Sequence, residues 1–273
     1  MKCTSPNKLW VSDLSDENDI DKPITVPCGK CIPCLQSKRL DWQIRLEQEH
    51  KVSKGAHFVT LTYDYKNLPF NQSLSKRHVQ LYLKRLRKSL PTHRIRYYAV
   101  GEYGTRYHRP HYHLLIFNAV EKNIRQAWDK GIVHVGNVTT ASVGYITKYI
   151  VQPPEHLGEK ARPFSLMSRG YGLGAHYLTD EMVAWHREDD RNYMVIQGKK
   201  TKLPRFYKEK IFTCPIQKAH VSNESKWQAI KEERRYLRKM VKKHGKAAKR
   251  IIAEQRLAAI QRVKIKVAYS QTL

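Results

Sequence analysis

Two histidines one residue apart, in Arg109-Pro110-His111-Tyr112-His113, are well spaced for metal chemistry. Side chains alternate between the faces of a strand, so His111 and His113 point to the same side and can bind one ion together. Glu102 lies just past the preceding predicted strand, where hairpin pairing would bring its carboxylate beside both imidazoles. Three such ligands leave open positions on an ion, as catalytic sites do. His108 competes with Glu102 for the third position, and two half-buried strand histidines without a metal are the structural alternative.

Two tyrosines four residues apart, in Tyr145-Ile146-Thr147-Lys148-Tyr149, are candidate nucleophiles. On a helix this spacing places both hydroxyls on one face, within reach of one point. Because a phenol has a pKa of about 10, it attacks only a strongly electrophilic group, such as a phosphate bound to a divalent ion. Lys148 lies between the tyrosines and is expected to favour the phenolate or to neutralise the phosphate. A packing pair of tyrosines and a solvated lysine are the structural alternatives.

Three cysteines in Cys28-Gly29-Lys30-Cys31-Ile32-Pro33-Cys34, with Cys3 as a candidate fourth, predict a structural zinc site. Thiolates separated by two residues can surround one tetrahedral ion, which would contribute to folding and not to catalysis. The spacing also resembles part of an iron–sulfur ligand run, and ordinary free thiols are the third interpretation. Cys214 is expected to stand apart. The odd number of cysteines and their tight spacing argue against a disulfide framework and favour a reducing compartment.

The elements that position these residues follow from hydrophobic periodicity and from turn residues. The predicted strands are 57–63, 95–100, 112–117 and 132–138, and the predicted helices are 76–90, 121–130 and 142–151. Ser75 caps the first of these helices, and Pro153 and Pro154 stop the last. This order is the split βαβ arrangement with one helix appended, so we expect an α+β fold with an antiparallel sheet and helices on one face.

Composition and patterning divide the chain into four predicted parts. Residues 1–55 form a cysteine-containing segment, residues 56–175 the core with the histidines and tyrosines, and residues 176–221 an accessory segment. Within that accessory segment, 179–187 reads as a helix and 193–196 as a strand. Residues 222–273 form a helical amphipathic tail with 15 basic and four acidic residues. This tail is either a solvated helix or a clamp on a nucleic-acid backbone.

The formal charge of +27 on 273 residues makes nucleic acid the expected partner and excludes an acidic scaffold. With 41% hydrophobic residues the chain can bury a core, which excludes a disordered polycation. No apolar run approaches the roughly 18 residues of a membrane span, and no apolar signal core follows Met1, so we expect a cytoplasmic protein without a membrane partner. Five tyrosines near the candidate site can stack on bases: Tyr97, Tyr98, Tyr103, Tyr107 and Tyr112.

Several motifs together resemble the HUH endonuclease superfamily, in which a histidine pair flanks a bulky residue and a nucleophilic tyrosine follows on a helix. His111 to His113, Tyr145 with Tyr149, and the stretch from Phe58 to Asp64 carry this resemblance. The cysteines from Cys28 to Cys34, and the stretch from Pro163 to Arg169 with the glycines after it, resemble the gokushovirus branch of microvirus replication-initiation proteins. The match covers most of the chain to about Gly174.

The resemblance implies an enzyme that starts rolling-circle replication in the cytoplasm of a bacterial host. His111, His113 and Glu102 would hold Mg²⁺ or Mn²⁺ against a phosphate of single-stranded origin DNA. One tyrosine would then form a 5′-phosphotyrosine link, and the second would allow the circle to be rejoined. A host helicase and a host polymerase would be partners, since Gly170, Gly172 and Gly174 are not followed by the Gly-Lys-Ser/Thr of a nucleotide-binding loop. The alternatives are a non-catalytic module that binds single-stranded nucleic acid and contains a structural zinc, and a transposase or relaxase of the same superfamily.

Overall fold

A computed structural model of the chain describes residues 3–9, 24–104, 107–151 and 158–269. The strands are β1 (Asn7–Leu9), β2 (Ile24–Val26), β3 (Ala56–Tyr63), β4 (Arg96–Tyr103), β5 (Pro110–Phe117), β6 (Gly131–Asn137), β7 (Phe164–Met167), β8 (Tyr193–Ile196) and β9 (Lys199–Lys202). The helices are α1 (Ile32–Val52), α2 (Lys76–Ser89), α3 (Glu121–Gln126), α4 (Thr140–Lys148), α5 (Asp180–Glu188), α6 (Arg205–Ile211), α7 (Pro215–His244) and α8 (Ala248–Tyr269). Two compact units are formed, one by Met1–Leu40 with Glu224–Leu273 and the other by Asp41–Asn223.

A five-stranded sheet with the order β6-β3-β5-β4-β7 is the framework of the second unit. Every neighbouring pair in this sheet is antiparallel. The predicted α+β class with an antiparallel sheet is therefore confirmed. The hairpins β1-β2 and β8-β9 form two separate small sheets.

Helices cover both faces of this sheet, and not the single face that we expected. On one face, Leu114 and Ile116 of β5 pack in a core with apolar residues of α2 and α3. On the other, Leu115 and Phe117 pack with residues of α1 and α4. The reason is the uninterrupted apolar run at the end of β5, which buries alternate side chains on opposite faces and needs a cover on each.

Some element boundaries differ from the sequence expectation. Helix α4 ends at Lys148, and Tyr149 is its C-cap residue, so the helix is shorter than the predicted 142–151. The two prolines expected to stop it, at 153–154, lie outside the described residues. Helix α2 has the predicted cap, because the Ser75 side chain accepts a hydrogen bond from the His78 backbone N–H. Among the described residues, no helix is long and apolar enough to cross a membrane.

The glycine-rich loop is held by buried ionic groups of its own unit. Glu49 Oε2 accepts a hydrogen bond of 2.7 Å from the Gly174 backbone N–H, and Glu49 Oε1 lies 2.6 Å from Arg96 Nε. Arg96 also donates to the Gly172 carbonyl. Gly174 has a φ of +75°, and an added Cβ would lie 2.4 Å from the Arg45 carbonyl oxygen, so this position requires glycine. The loop therefore uses its polar groups internally and is not a phosphate cradle.

Candidate active site

Strand pairing brings the three predicted metal ligands together on one face of the sheet. Glu102 of β4 lies directly opposite His111 of β5, and Val100 lies opposite His113. Because partners in an antiparallel ladder share a face, Glu102, His111 and His113 all point to the side covered by α4. Their ligand atoms lie within 4.8 Å of one another. His108 is exposed in the turn before β5 and is not in this group, so Glu102 occupies the third position.

The geometry of the three side chains fits one divalent ion. Glu102 Oε1 lies 2.8 Å from His111 Nε2 and 2.9 Å from His113 Nε2. Adjacent ligands of an octahedral Mg²⁺ with bonds of about 2.1 Å are separated by about 3 Å. The Nδ1 of His111 lies 3.1 Å from the Arg109 carbonyl oxygen, which can only accept a hydrogen bond. The Nε2 lone pair of a neutral His111 therefore faces the carboxylate, and a cation must lie between them.

Thr60 is a residue of this site that the sequence reasoning missed. It lies on β3 directly opposite His113, and its hydroxyl is 3.0 Å from His113 Nδ1. A partner on the second ring nitrogen fixes the orientation of a ligating histidine. Phe58 stacks on the same ring, with centroids 5.6 Å apart and an interplanar angle of 5°. Only the pairing of β3 with β5 reveals either contact, since both residues are far from His113 in sequence.

Burial and hydrogen bonding set the charges of the ligands. Burial opposes the ionisation of Glu102, but hydrogen bonds from His111 and His113 outweigh it and lower the pKa of the carboxyl group to about 2. Burial also lowers the pKa of His113, although Glu102 opposes this change. At neutral pH the site therefore presents a carboxylate and a neutral imidazole, which is the protonation state that a metal ion requires.

Helix α4 places the tyrosines beside these ligands. The Tyr145 hydroxyl lies 3.4 Å from both Glu102 Oε1 and His113 Nε2. The Tyr149 hydroxyl is shielded from solvent near Glu102 but forms no hydrogen bond with the described residues. Burial, and then the Glu102 charge, raise the pKa of both phenols. Lys148 is buried, with its Nζ 3.8 Å from the Tyr145 ring centroid and 5.0 Å from that of Tyr149. It is therefore not the solvated lysine of the structural alternative.

The four predicted cysteines form a second cluster, in the first unit. The hairpin of β1 and β2 returns the chain so that Cys3 meets Cys28, Cys31 and Cys34, with all four sulfur atoms within 4.8 Å of one another. The Cys28 N–H donates to Cys3 Sγ, and the Cys31 N–H to Cys28 Sγ, each at 3.3 Å. Burial opposes ionisation of Cys31, but hydrogen bonds lower its pKa to about 5. Cys214 is exposed and outside the cluster.

Three of the five tyrosines predicted to stack on bases are instead part of the core. Tyr98, Tyr103 and Tyr112 are buried, and the Tyr112 hydroxyl lies 2.8 Å from the Tyr63 hydroxyl. Tyr97 is half-buried, and Tyr107 is exposed in the turn before β5. Only these two of the five retain surface on which a base can stack.

Comparisons with known proteins agree with this arrangement. The family model for the replication-associated protein ORF2 matches residues 56–153, which include both histidines and both tyrosines. The replication-associated protein ORF2 of Spiroplasma virus 4 is 27% identical over 266 residues, covering 86% of this chain and 78% of that protein. The replication-associated protein VP4 of Bdellovibrio phage phiMH2K is 27% identical over 246 residues, covering 77% of this chain and 76% of that protein.

The resemblance to microvirus replication proteins is confirmed. A third relative, the replication-associated protein ORF4 of Chlamydia phage 1, is 27% identical over 150 residues, covering 46% of this chain and 37% of that protein. The similarity to the first two relatives extends well beyond residues 56–153, so it is not limited to the segment with the histidines and tyrosines. No solved structure matches the chain.

Proposed function

We propose that this protein starts rolling-circle replication of a phage genome by nicking single-stranded origin DNA through a tyrosine. The observation that carries the proposal is the position of the Tyr145 hydroxyl, 3.4 Å from two atoms of a three-ligand metal group. Glu102, His111 and His113 would hold Mg²⁺ or Mn²⁺. Such an ion supplies Lewis-acid activation of the scissile phosphate. The names of the relatives support a role in replication.

Tyr145 is the nucleophile of the first cleavage, because its hydroxyl is beside the ligands whereas that of Tyr149 has no hydrogen-bond partner among the described residues. The Tyr145 oxygen forms a bond to phosphorus and loses its proton. The bond from phosphorus to the 3′ oxygen breaks, and that oxygen takes up a proton and becomes the primer end. Lys148 lies against both rings, where its charge favours the developing phenolate.

Tyr149 serves the second transfer. After one round of synthesis it attacks the regenerated origin, and the freed 3′ hydroxyl attacks the first phosphotyrosine, so that Tyr145 leaves and the circle closes. Each transfer replaces one phosphodiester bond with another, and no ATP is needed. We further propose that the protein acts in the cytoplasm of a bacterial host, with a host helicase and a host polymerase as partners.

The experiment uses single-stranded oligonucleotides tiled across the genome that encodes the chain, with Mn²⁺. We expect a protein–DNA adduct from one tile that survives denaturant and is absent with chelator. The double variant Tyr145→Phe with Tyr149→Phe should bind the same tile and form no adduct, whereas the exposed control Tyr107→Phe should behave as wild type. Binding without adduct on every tile would favour the non-catalytic module. An adduct in the double variant would refute the assigned nucleophiles, and cutting at the ends of a mobile element would favour a transposase.

We also propose that Cys3, Cys28, Cys31 and Cys34 hold a structural Zn²⁺. Cys31 Sγ lies 3.6 Å from Cys3 Sγ. The edge of a tetrahedron with Zn–S bonds of about 2.3 Å is about 3.8 Å. An iron–sulfur cluster would hold its thiolates further apart, because the cluster itself lies between them. Elemental analysis should find one zinc per chain, lost in Cys31→Ser and kept in the control Cys214→Ser. Iron in place of zinc, or no metal, would contradict the assignment.

A further inference from the structure

A basic groove of about 760 Å³ lies at the end of β4 opposite to Glu102, and the proposed cleavage does not use it. It is lined by residues of α2, of the beginning of β4, and of β7 with the two residues after it. Arg87, Arg94 and Arg169 line it with exposed side chains. None of its lining residues is acidic. The groove is formed by a helix and two paired strands, so it does not require an ordering step before a ligand binds.

The three exposed arginines retain their charge for a ligand. Among the ion pairs of the described residues, none involves Arg87, Arg94 or Arg169. A fourth arginine, Arg96, is buried at the base of the groove, and its charge is compensated by Glu49. The surface therefore presents three uncompensated guanidinium groups, each with planar donors that match phosphate oxygens.

Two of these arginines lie over aromatic rings. The guanidinium carbon of Arg87 lies 5.3 Å from the Tyr97 ring centroid, and that of Arg94 lies 4.9 Å from the Tyr171 centroid. Tyr171 is 68% exposed. The Tyr97 backbone is fixed, because its N–H donates to Ser168 Oγ and its carbonyl accepts from the Ser168 N–H. Phosphate donors beside planar rings are the combination that binds single strands without reading their sequence.

We propose that this groove binds single-stranded DNA as a second contact, outside the cleavage site. The inference rests on the proposed single-stranded substrate but not on the nicking chemistry. Tyr97 and Glu102 are five residues apart on one strand, a separation of roughly 17 Å at the usual rise per residue. A long strand can therefore occupy the cleavage site and the groove together, whereas a short one cannot. A free nucleotide has the same chemistry, but it does not gain from this second contact.

The test compares short and long single-stranded oligonucleotides of the same nick sequence, by fluorescence anisotropy at several salt concentrations without divalent ions. In the variant Arg87→Gln, Arg94→Gln and Arg169→Gln, the long oligonucleotide should bind about tenfold more weakly, with a salt slope smaller by about 2 for three lost phosphate contacts. Binding of the short oligonucleotide should not change. The matched control Arg77→Gln, Lys84→Gln and Lys88→Gln removes three exposed charges from α2 outside the groove.

Equal weakening by both triple variants would overturn the proposal, because it would show a general effect of net charge. Equal weakening for short and long oligonucleotides would overturn it as well. As a direct readout, iododeoxyuridine placed along the long oligonucleotide should cross-link on illumination to a peptide containing Tyr97 or Tyr171. Saturating mononucleotide that abolishes the cross-link would instead assign the groove to free nucleotides. Since these measurements involve no cleavage, they can fail while the nicking proposal holds, and the reverse.

Discussion

The Tyr149 hydroxyl provides a sharp prediction, because its burial without a hydrogen bond lowers the stability of the fold. The oxygen is shielded from solvent and has no hydrogen-bond partner among the described residues. The substitution Tyr149→Phe removes this oxygen and keeps the ring, which packs with the core under α4. We therefore expect the variant to be more stable than the wild type. Such a group is retained when it serves chemistry and not folding.

The magnitude follows from the desolvation of one hydroxyl group. An unsatisfied buried polar group costs about 1–3 kcal/mol. The unit that contains Tyr149 spans Asp41–Asn223. For a unit of this size, 1 kcal/mol shifts Tm by about 2–4 °C. Tyr149→Phe should therefore raise Tm by roughly 2–12 °C.

The assay is thermal unfolding without added divalent ions, with Tyr112→Phe as the matched control. The Tyr112 hydroxyl is also buried, but it lies 2.8 Å from the Tyr63 hydroxyl and accepts a hydrogen bond of 2.8 Å from the Ser75 N–H. Its removal leaves those partners unsatisfied, so Tm should fall by a similar amount. The two substitutions are chemically identical and should have opposite signs. A fall of Tm in Tyr149→Phe would refute the reasoning, because it would show that the hydroxyl has a stabilising partner.

Three further predictions concern the ligands and the core. Glu102→Gln should weaken Mn²⁺ binding at least 100-fold in calorimetry, since it removes the only anionic ligand of the group, while His134→Gln on the exposed part of the same face should leave it unchanged. Thr60→Val should lower Mn²⁺ affinity about 10–100-fold by freeing the His113 ring, whereas Thr62→Val should not; equal effects would refute an orienting role. Glu49→Gln leaves a buried guanidinium without its counter-charge and should cost about 3–5 kcal/mol in denaturant unfolding; a change below 1 kcal/mol would contradict this.

Local patterns predicted much of the sheet and its first helices. The strand over His57–Tyr63 and the helix capped by Ser75 both form close to their expected bounds, since each is amphipathic over its whole length. Helix α1 was not predicted, because its apolar residues face different cores: Ile44 packs in one cluster and Leu46 in another. Strand β7 was also not predicted, because four residues at an edge are stabilised mainly by pairing with β4. The four-part division of the chain stays a prediction.

The sequence by itself determined which chemistry is available. Alternation in a strand puts His111 and His113 on one side, and helical spacing puts Tyr145 and Tyr149 near each other. Only the tertiary structure decided which groups meet. The register of β4 against β5 places Glu102, and not His108, beside the histidines, and the pairing of β3 with β5 adds Thr60. These contacts depend on strand register between distant segments, which no local pattern contains.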